Sequence, residues 1–255
     1  MVEYENFIYL DVYRTGSTHL IGLLDKITEE KRVRIHRHSS LTWGRPSGYS
    51  GGKIVFATVR NPWDWYVSLW AHGTAGKSAI RRFLAPHYSA QEIDAFYDRE
   101  ESAESFRRWL RAMHDPVILA NIMQELLPQS GLAPIIGLYS YRFLRVTTRF
   151  PLLFLRRGII RQPLDAVTHL HRFRAFDEIL RTETLTEDLM TFVKNHGGRC
   201  RFRPDAAEII LQAEQQHVNA SPRRLSGYRN YFDAECSELV ARRDCLFTEY
   251  FGYRF

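Results

Sequence analysis

Apolar residues along the chain alternate between short continuous runs and longer stretches of helical spacing. Phe7-Ile8-Tyr9-Leu10-Asp11-Val12 is a β-prone run and reads as a buried strand. It ends at Tyr13-Arg14-Thr15-Gly16-Ser17-Thr18, which reads as a turn. Leu20, Leu23, Leu24 and Ile27 then recur at helical intervals, predicting a helix that begins near Ser17. Val33-Arg34-Ile35-His36 reads as a second strand, and Trp43 to Gly52, rich in Gly, Ser and Pro, as a loop. Lys53 to Val59 is apolar through its middle, as a parallel strand buried on both faces would be. Asn61-Pro62 then marks a helix start, with Asn61 as N-cap and Pro62 in the first helical position. Helical patterning covers 102–127, a strand is expected over Phe176 to Leu180, and helices over 185–196, 204–216 and 233–250. No internal repeat interrupts this order. Strands alternating with helices predict an α/β fold with a parallel sheet.

Bulk properties narrow the picture. A chain of 255 residues and 30.0 kDa fits one large domain, residues 1–255, and a 45% hydrophobic fraction fills an ordinary core. The formal charge of +6 favours an acidic ligand, a polyanion or an anionic surface, without choosing among them. Arg far outnumbers Lys, which suits bidentate grip on phosphate or sulfate. Cys200, Cys236 and Cys245 lack both an even count and metal-ligand spacing, which argues against a disulfide framework or a zinc site. Acidic residues stand where a signal peptide would carry bases, and no run approaches the roughly 20 apolar residues of a membrane span. A cytoplasmic protein is expected.

Three segments carry candidate chemistry. The first is Arg14 to His19: a helix amino terminus after a strand presents unpaired N–H groups to an anion. Gly16 admits close approach, Ser17 and Thr18 add hydroxyls, and Arg14 adds a forked cation. The triphosphate-binding pattern G-x-x-x-x-G-K-[ST] is absent, and an ordinary polar turn is the plainer reading. The second segment runs from Arg60, at a strand's carboxyl end, to Ser68, about two helical turns further on. Its aromatics, Trp63, Trp65, Tyr66 and Trp70, read as core. The third is His36-Arg37-His38, where strand alternation would set both imidazoles on one face. A histidine near neutral pKa suits general base catalysis; metal binding and plain solvation are the alternatives.

Taken together, these segments resemble the PAPS-dependent sulfotransferases, whose donor is 3′-phosphoadenosine 5′-phosphosulfate. Carbohydrate enzymes of that superfamily carry an Arg-Ser-Gly-Ser-Ser/Thr run after the first strand, and Arg14-Thr15-Gly16-Ser17-Thr18 is similar to it position by position. The family's second signature is a strand ending in Arg, a turn with Pro, and a Ser eight residues on; Arg60, Pro62 and Ser68 match it. Bacterial sulfotransferases fall within the same resemblance. It implies a three-layer, P-loop NTPase-like fold around a central parallel sheet. It further implies a 5′-phosphosulfate site at residues 14–19 and a 3′-phosphate held by Arg60 and Ser68.

The His-x-His segment is similar to that of uronyl and heparan 2-O-sulfotransferases, which implies His38 as base and His36 as support. His19 and acidic residues are fallback bases. Arg223 and Arg224 stand in a basic loop, residues 219–229, near the point where the family's closing loop grips the nucleotide. The run from Phe176 to Asp188 and the terminal Phe251-Gly252-Tyr253 resemble the family's late strand and closing helix. Residues 70–170 match poorly and are expected to form a mainly helical acceptor side. Within them, the arginines of 139–161 predict an exposed stripe, an acidic-glycan surface or a peripheral membrane face. The function implied is metal-independent sulfuryl transfer to a hydroxyl acceptor, a glycan or glycolipid, with no nucleic-acid partner. The rivals are an ATP-dependent small-molecule kinase and a basic, non-enzymatic polyanion-binding module.

Overall fold

A computed structural model describes residues 1–42, 50–76, 78–100, 102–123, 130–215 and 223–255. The chain begins β1 (Val2–Tyr4), β2 (Phe7–Leu10), α1 (Ser17–Ile27), β3 (Arg32–Ile35) and β4 (Ile54–Val59). Eight helices follow among the described residues: α2 (Pro62–Thr74), α3 (Arg81–Leu84), α4 (Ala90–Phe96), α5 (Ser102–Met113), α6 (Pro116–Met123), α7 (Leu138–Thr147), α8 (Pro151–Phe154) and α9 (Asp165–Phe173). Last come β5 (Glu178–Arg181), α10 (Leu185–His196), α11 (Ala206–Gln215), α12 (Ala234–Arg243) and α13 (Cys245–Glu249). The fold is α/β. The chain divides into two compact units, one of 1–60, 143–151 and 173–220, the other of 61–142, 152–172 and 221–255. Among the described residues no helix is long and apolar enough to cross a membrane.

The first unit holds the whole sheet, in the order β3-β1-β2-β4-β5. β2, β4 and β5 run parallel, with Leu10 opposite Ala57 and Val59 opposite Arg181. β1 is antiparallel to both β2 and β3. The sheet is therefore mixed, where strand–helix alternation alone predicts a parallel one. Three residues, Val2 to Tyr4, make the difference, and so short a strand gives no periodic signal.

Every residue of β2 and β4 is buried, as the continuous apolar runs require. One face of the sheet supplies Tyr4, Phe7, Tyr9, Ile54, Phe56 and Leu180 to the core, against Leu20, Leu24 and Ile27 of α1 and Leu189 and Phe192 of α10. The ring pairs are close: Tyr4 to Phe7 at 4.4 Å and Phe56 to Phe192 at 4.5 Å. A strand period of two meeting a helix period of 3.6 is what assembles this face.

The second unit is helical. The side chain of Asn61 accepts hydrogen bonds from Trp63 N and Asp64 N, and Pro62 opens α2, as its sequence predicts. Trp63, Trp65, Tyr66 and Trp70 are all buried. Trp65 stacks on Tyr139 at 4.4 Å, and Tyr139 stacks on Phe247 at 3.9 Å. The helical patterning over 102–127 forms two helices as far as residue 123, α5 and α6, because Pro116 cannot extend α5 and instead starts α6; 124–127 lie outside the described residues. The helix expected over 233–250 breaks at Asp244. Its buried carboxylate accepts from Tyr66 Oη at 2.7 Å and from Ser140 N at 2.7 Å. The predicted loop residues 43–49 and 219–222 lie outside the described residues.

Candidate active site at the carboxyl ends of the parallel strands

β2 and β4 are parallel neighbours, so the turn after Leu10 and the turn after Val59 emerge at one edge of the sheet. The first turn is built from left-handed backbone. Arg14 has φ +60° and Gly16, the N-cap of α1, has φ +75°. No side chain caps α1 at Gly16, and its first internal bond runs from Leu20 N to the Gly16 carbonyl. The first N–H groups of α1 therefore have no intrahelical acceptor and carry the positive end of its dipole. Gly16 and Thr18 are exposed here, while Arg14 and His19 are half-buried.

A hydroxyl relay fixes the turn to the sheet. Thr15 Oγ1 donates to the Val12 carbonyl at 2.8 Å and lies 2.6 Å from Thr58 Oγ1, which lies 2.8 Å from Tyr9 Oη. Each hydroxyl has a single proton, so Tyr9 donates to Thr58 and Thr58 to Thr15. Thr15 is thus wholly buried, and its side chain serves the turn's shape. Arg60 Nη1 donates to the Arg14 carbonyl at 3.0 Å, and Thr182 Oγ1 donates to the Val59 carbonyl at 2.9 Å. Three strand ends are tied together.

Beside this turn stands a carboxylate that sequence reading left unassigned. Asp11 is fully buried one residue past β2. Its oxygens accept from Arg37 Nε at 2.6 Å, from the His38 backbone N–H at 2.8 Å and from the Met1 amino group at 2.7 Å. Arg37 also reaches Ser17 Oγ at 3.0 Å, placing a guanidinium at the start of α1. Arg37 belongs to the same basic tripeptide as the candidate histidines, and nothing local to that tripeptide distinguishes it from a solvated arginine.

The imidazole of His38 is held on three sides. Its Nδ1 lies 3.0 Å from the Asp11 carbonyl oxygen and 3.3 Å from Asp11 Oδ2. Both are acceptors, which assigns the proton to Nδ1 and leaves the lone pair on Nε2. The ring stacks on Tyr13 at 3.8 Å. From α7, Arg145 donates to Tyr13 Oη at 2.8 Å and to the His38 carbonyl at 3.2 Å. Burial pushes the His38 pKa below its usual value, although Asp11 opposes that shift. The ring therefore rests neutral near pH 7.

His36 does not share this setting. β3 ends at Ile35, and His38 has φ +56°, so strand alternation does not carry through to it. His36 is exposed, and its backbone N–H donates to the Met1 carbonyl at 2.9 Å. The arginines of 139–161 divide similarly. Arg142 and Arg145 are half-buried on a mostly buried α7, whereas Arg149, Arg156, Arg157 and Arg161 are exposed. No exposed stripe runs along α7.

Three further candidates belong to the second unit. Ser68 is buried within α2. Arg223 pairs with Asp64 at 2.5 Å, and Arg224 pairs with Glu100 at 2.5 Å. Both arginines line a cavity of about 290 Å³ with Trp70, Thr74, Arg99, Glu100 and Ser102. Among the described residues, no group of three or more His, Cys, Asp or Glu is placed to hold a metal ion. No protein-family model matches the chain, and no curated protein or solved structure matches it.

Proposed function

We propose that the chain is a PAPS-dependent sulfotransferase acting on a hydroxyl acceptor. One observation carries the reading: a left-handed anion turn, an arginine from the neighbouring parallel strand end, and a neutral histidine held by a buried carboxylate meet at one edge of the sheet. The turn suits a phosphosulfate. Exposed Gly16 brings no Cβ to the ligand, and the nearest atom to one built there is Thr182 Cγ2 at 4.0 Å. The start of α1 offers N–H groups and dipole, and Arg37 adds charge at Ser17.

In this reading Arg14 and the α1 amino terminus hold the 5′-phosphosulfate, and Arg60 grips the 3′-phosphate. His38 Nε2 accepts the acceptor's hydroxyl proton as that oxygen bonds to sulfur. The bond between sulfur and the 5′-phosphate oxygen breaks, leaving adenosine 3′,5′-bisphosphate and the sulfated acceptor. Arg14 stabilises the charge that grows on the leaving oxygen. Asp11 keeps His38 in the tautomer that presents Nε2, and Tyr13 and Arg145 fix the plane of its ring. His36 is a supporting contact, and a glycan or glycolipid is the acceptor class proposed. The protein is cytoplasmic in this reading.

Calorimetric titration with adenosine 3′,5′-bisphosphate, followed by transfer of radiolabelled sulfate from PAPS to an acceptor panel, tests the proposal. Binding of the bisphosphate with indifference to ATP and Mg²⁺ is expected. His38→Ala and Arg14→Ala each lower turnover by about 10²-fold or more. Absence of any affinity for the bisphosphate overturns the reading. Salt-sensitive binding of arbitrary polyanions, with no nucleotide effect, replaces it with a polyanion-binding module.

A further inference from the structure

Residues 152–164 of the second unit present a surface that sulfuryl transfer does not use. Leu152 is 67% exposed, Ile159 44% and Leu164 55%. Arg156, Arg157 and Arg161 lie exposed between them. A single exposed leucine needs no explanation, but apolar side chains interleaved with guanidinium groups over so short a stretch do.

Fraying is not the cause. Phe154, Leu155 and Ile160 are buried, and Phe154 packs edge-on against Tyr141 at 6.1 Å and His169 at 5.7 Å. Two backbone bonds close within the segment: Arg156 N donates to the Leu153 carbonyl at 3.1 Å and Ile159 N to the Arg156 carbonyl at 3.2 Å. The nearest acidic residue along this segment, Asp165, is committed locally. It accepts from Arg161 N at 2.8 Å and Gln162 N at 3.1 Å. The exposed side chains are therefore cationic and apolar and stand on an anchored segment.

We propose that this face docks on an anionic lipid surface. Leu152, Ile159 and Leu164 enter the boundary between headgroups and acyl chains, while Arg156, Arg157 and Arg161 pair with lipid phosphates through their forked donors. Charge complementarity selects this occupant: the face carries three guanidinium groups against one carboxylate already engaged in capping. The chain's net charge of +6 adds attraction to the same surface. The proposal stands independently of the sulfotransferase reading.

Flotation of the full chain with vesicles tests it, comparing pure phosphatidylcholine with phosphatidylcholine containing about one-third phosphatidylglycerol. The protein is expected to float with the anionic vesicles alone and to be released by raised salt. Arg156→Gln with Arg157→Gln weakens binding by about 25-fold, roughly fivefold for each arginine. Leu152→Ser, Ile159→Ser and Leu164→Ser together weaken it by about tenfold or more. Circular dichroism and thermal midpoint are to match the parent in both variants. No flotation with anionic vesicles overturns the proposal, and so does flotation unchanged by either set of substitutions. If the serine variant instead lowers the oligomeric mass while lipid binding persists, the face joins copies of this chain and the proposal is wrong.

Discussion

Gly16→Ala probes the turn on which the candidate site depends. Gly16 has φ +75° and ψ 12°, a left-handed conformation that costs an L-residue about 1–2 kcal/mol. A Cβ built there meets only Thr182 Cγ2, at 4.0 Å, so steric overlap adds nothing. Alanine also narrows the unfolded ensemble, which returns about 0.4–1 kcal/mol. The net loss is therefore about 1 kcal/mol, or a fall of about 2–4 °C in the thermal midpoint for a chain of this size. Urea unfolding measures it. Gly16→Asn serves as the control, because asparagine tolerates the left-handed region and should recover most of the loss. Affinity for adenosine 3′,5′-bisphosphate should fall by about tenfold or more in Gly16→Ala, as relief of strain turns the N–H groups of the turn away. An alanine variant as stable as the parent refutes the left-handed turn, whatever its activity.

Two other outcomes are expected. Asp11→Asn keeps an oxygen for the His38 N–H but removes the charge that favours imidazolium, so turnover falls by about 10²-fold. In the proposed transfer His38 is the neutral base, and burial lowers its pKa, so the acidic limb of the rate profile is expected below the ordinary histidine range and lower still in Asp11→Asn. A limb that stays put or moves up, in a folded variant, removes Asp11 from its positioning role. In the second unit, burial lowers His114 from 6.5 to about 4. The unfolded chain binds that proton first on acidification, so stability is complete above pH 6.5 and drops by about 3 kcal/mol as pH falls to about 4. Urea midpoints across that range, with His114→Gln flattening the slope, check the sign and size.

Local signals decided much of what positions the site. The run Phe7 to Leu10, the turn at Gly16 and the leucine spacing of α1 were readable because strand period, turn chemistry and helix period are properties of neighbouring residues. Asn61-Pro62 marked the start of α2, and 185–196 marked α10, for the same reason. Nothing local reveals that Asp11 is a buried hub. An aspartate at a strand end reads as solvated until Arg37 and His38 fold back onto it from 26 and 27 residues away. Arg145, one of many arginines in a basic segment, reaches the His38 carbonyl across 107 residues of chain. The antiparallel β1 is likewise defined by its partners, since its register with β2 and β3 lies in pairings that no window of the sequence contains. The sequence by itself determined which residues form the turn at Gly16 and its helix; the tertiary structure decided which carboxylate, tyrosine and arginine surround His38. Periodicity and capping act over a few residues, whereas burial and ion pairing depend on chain closure over tens of residues.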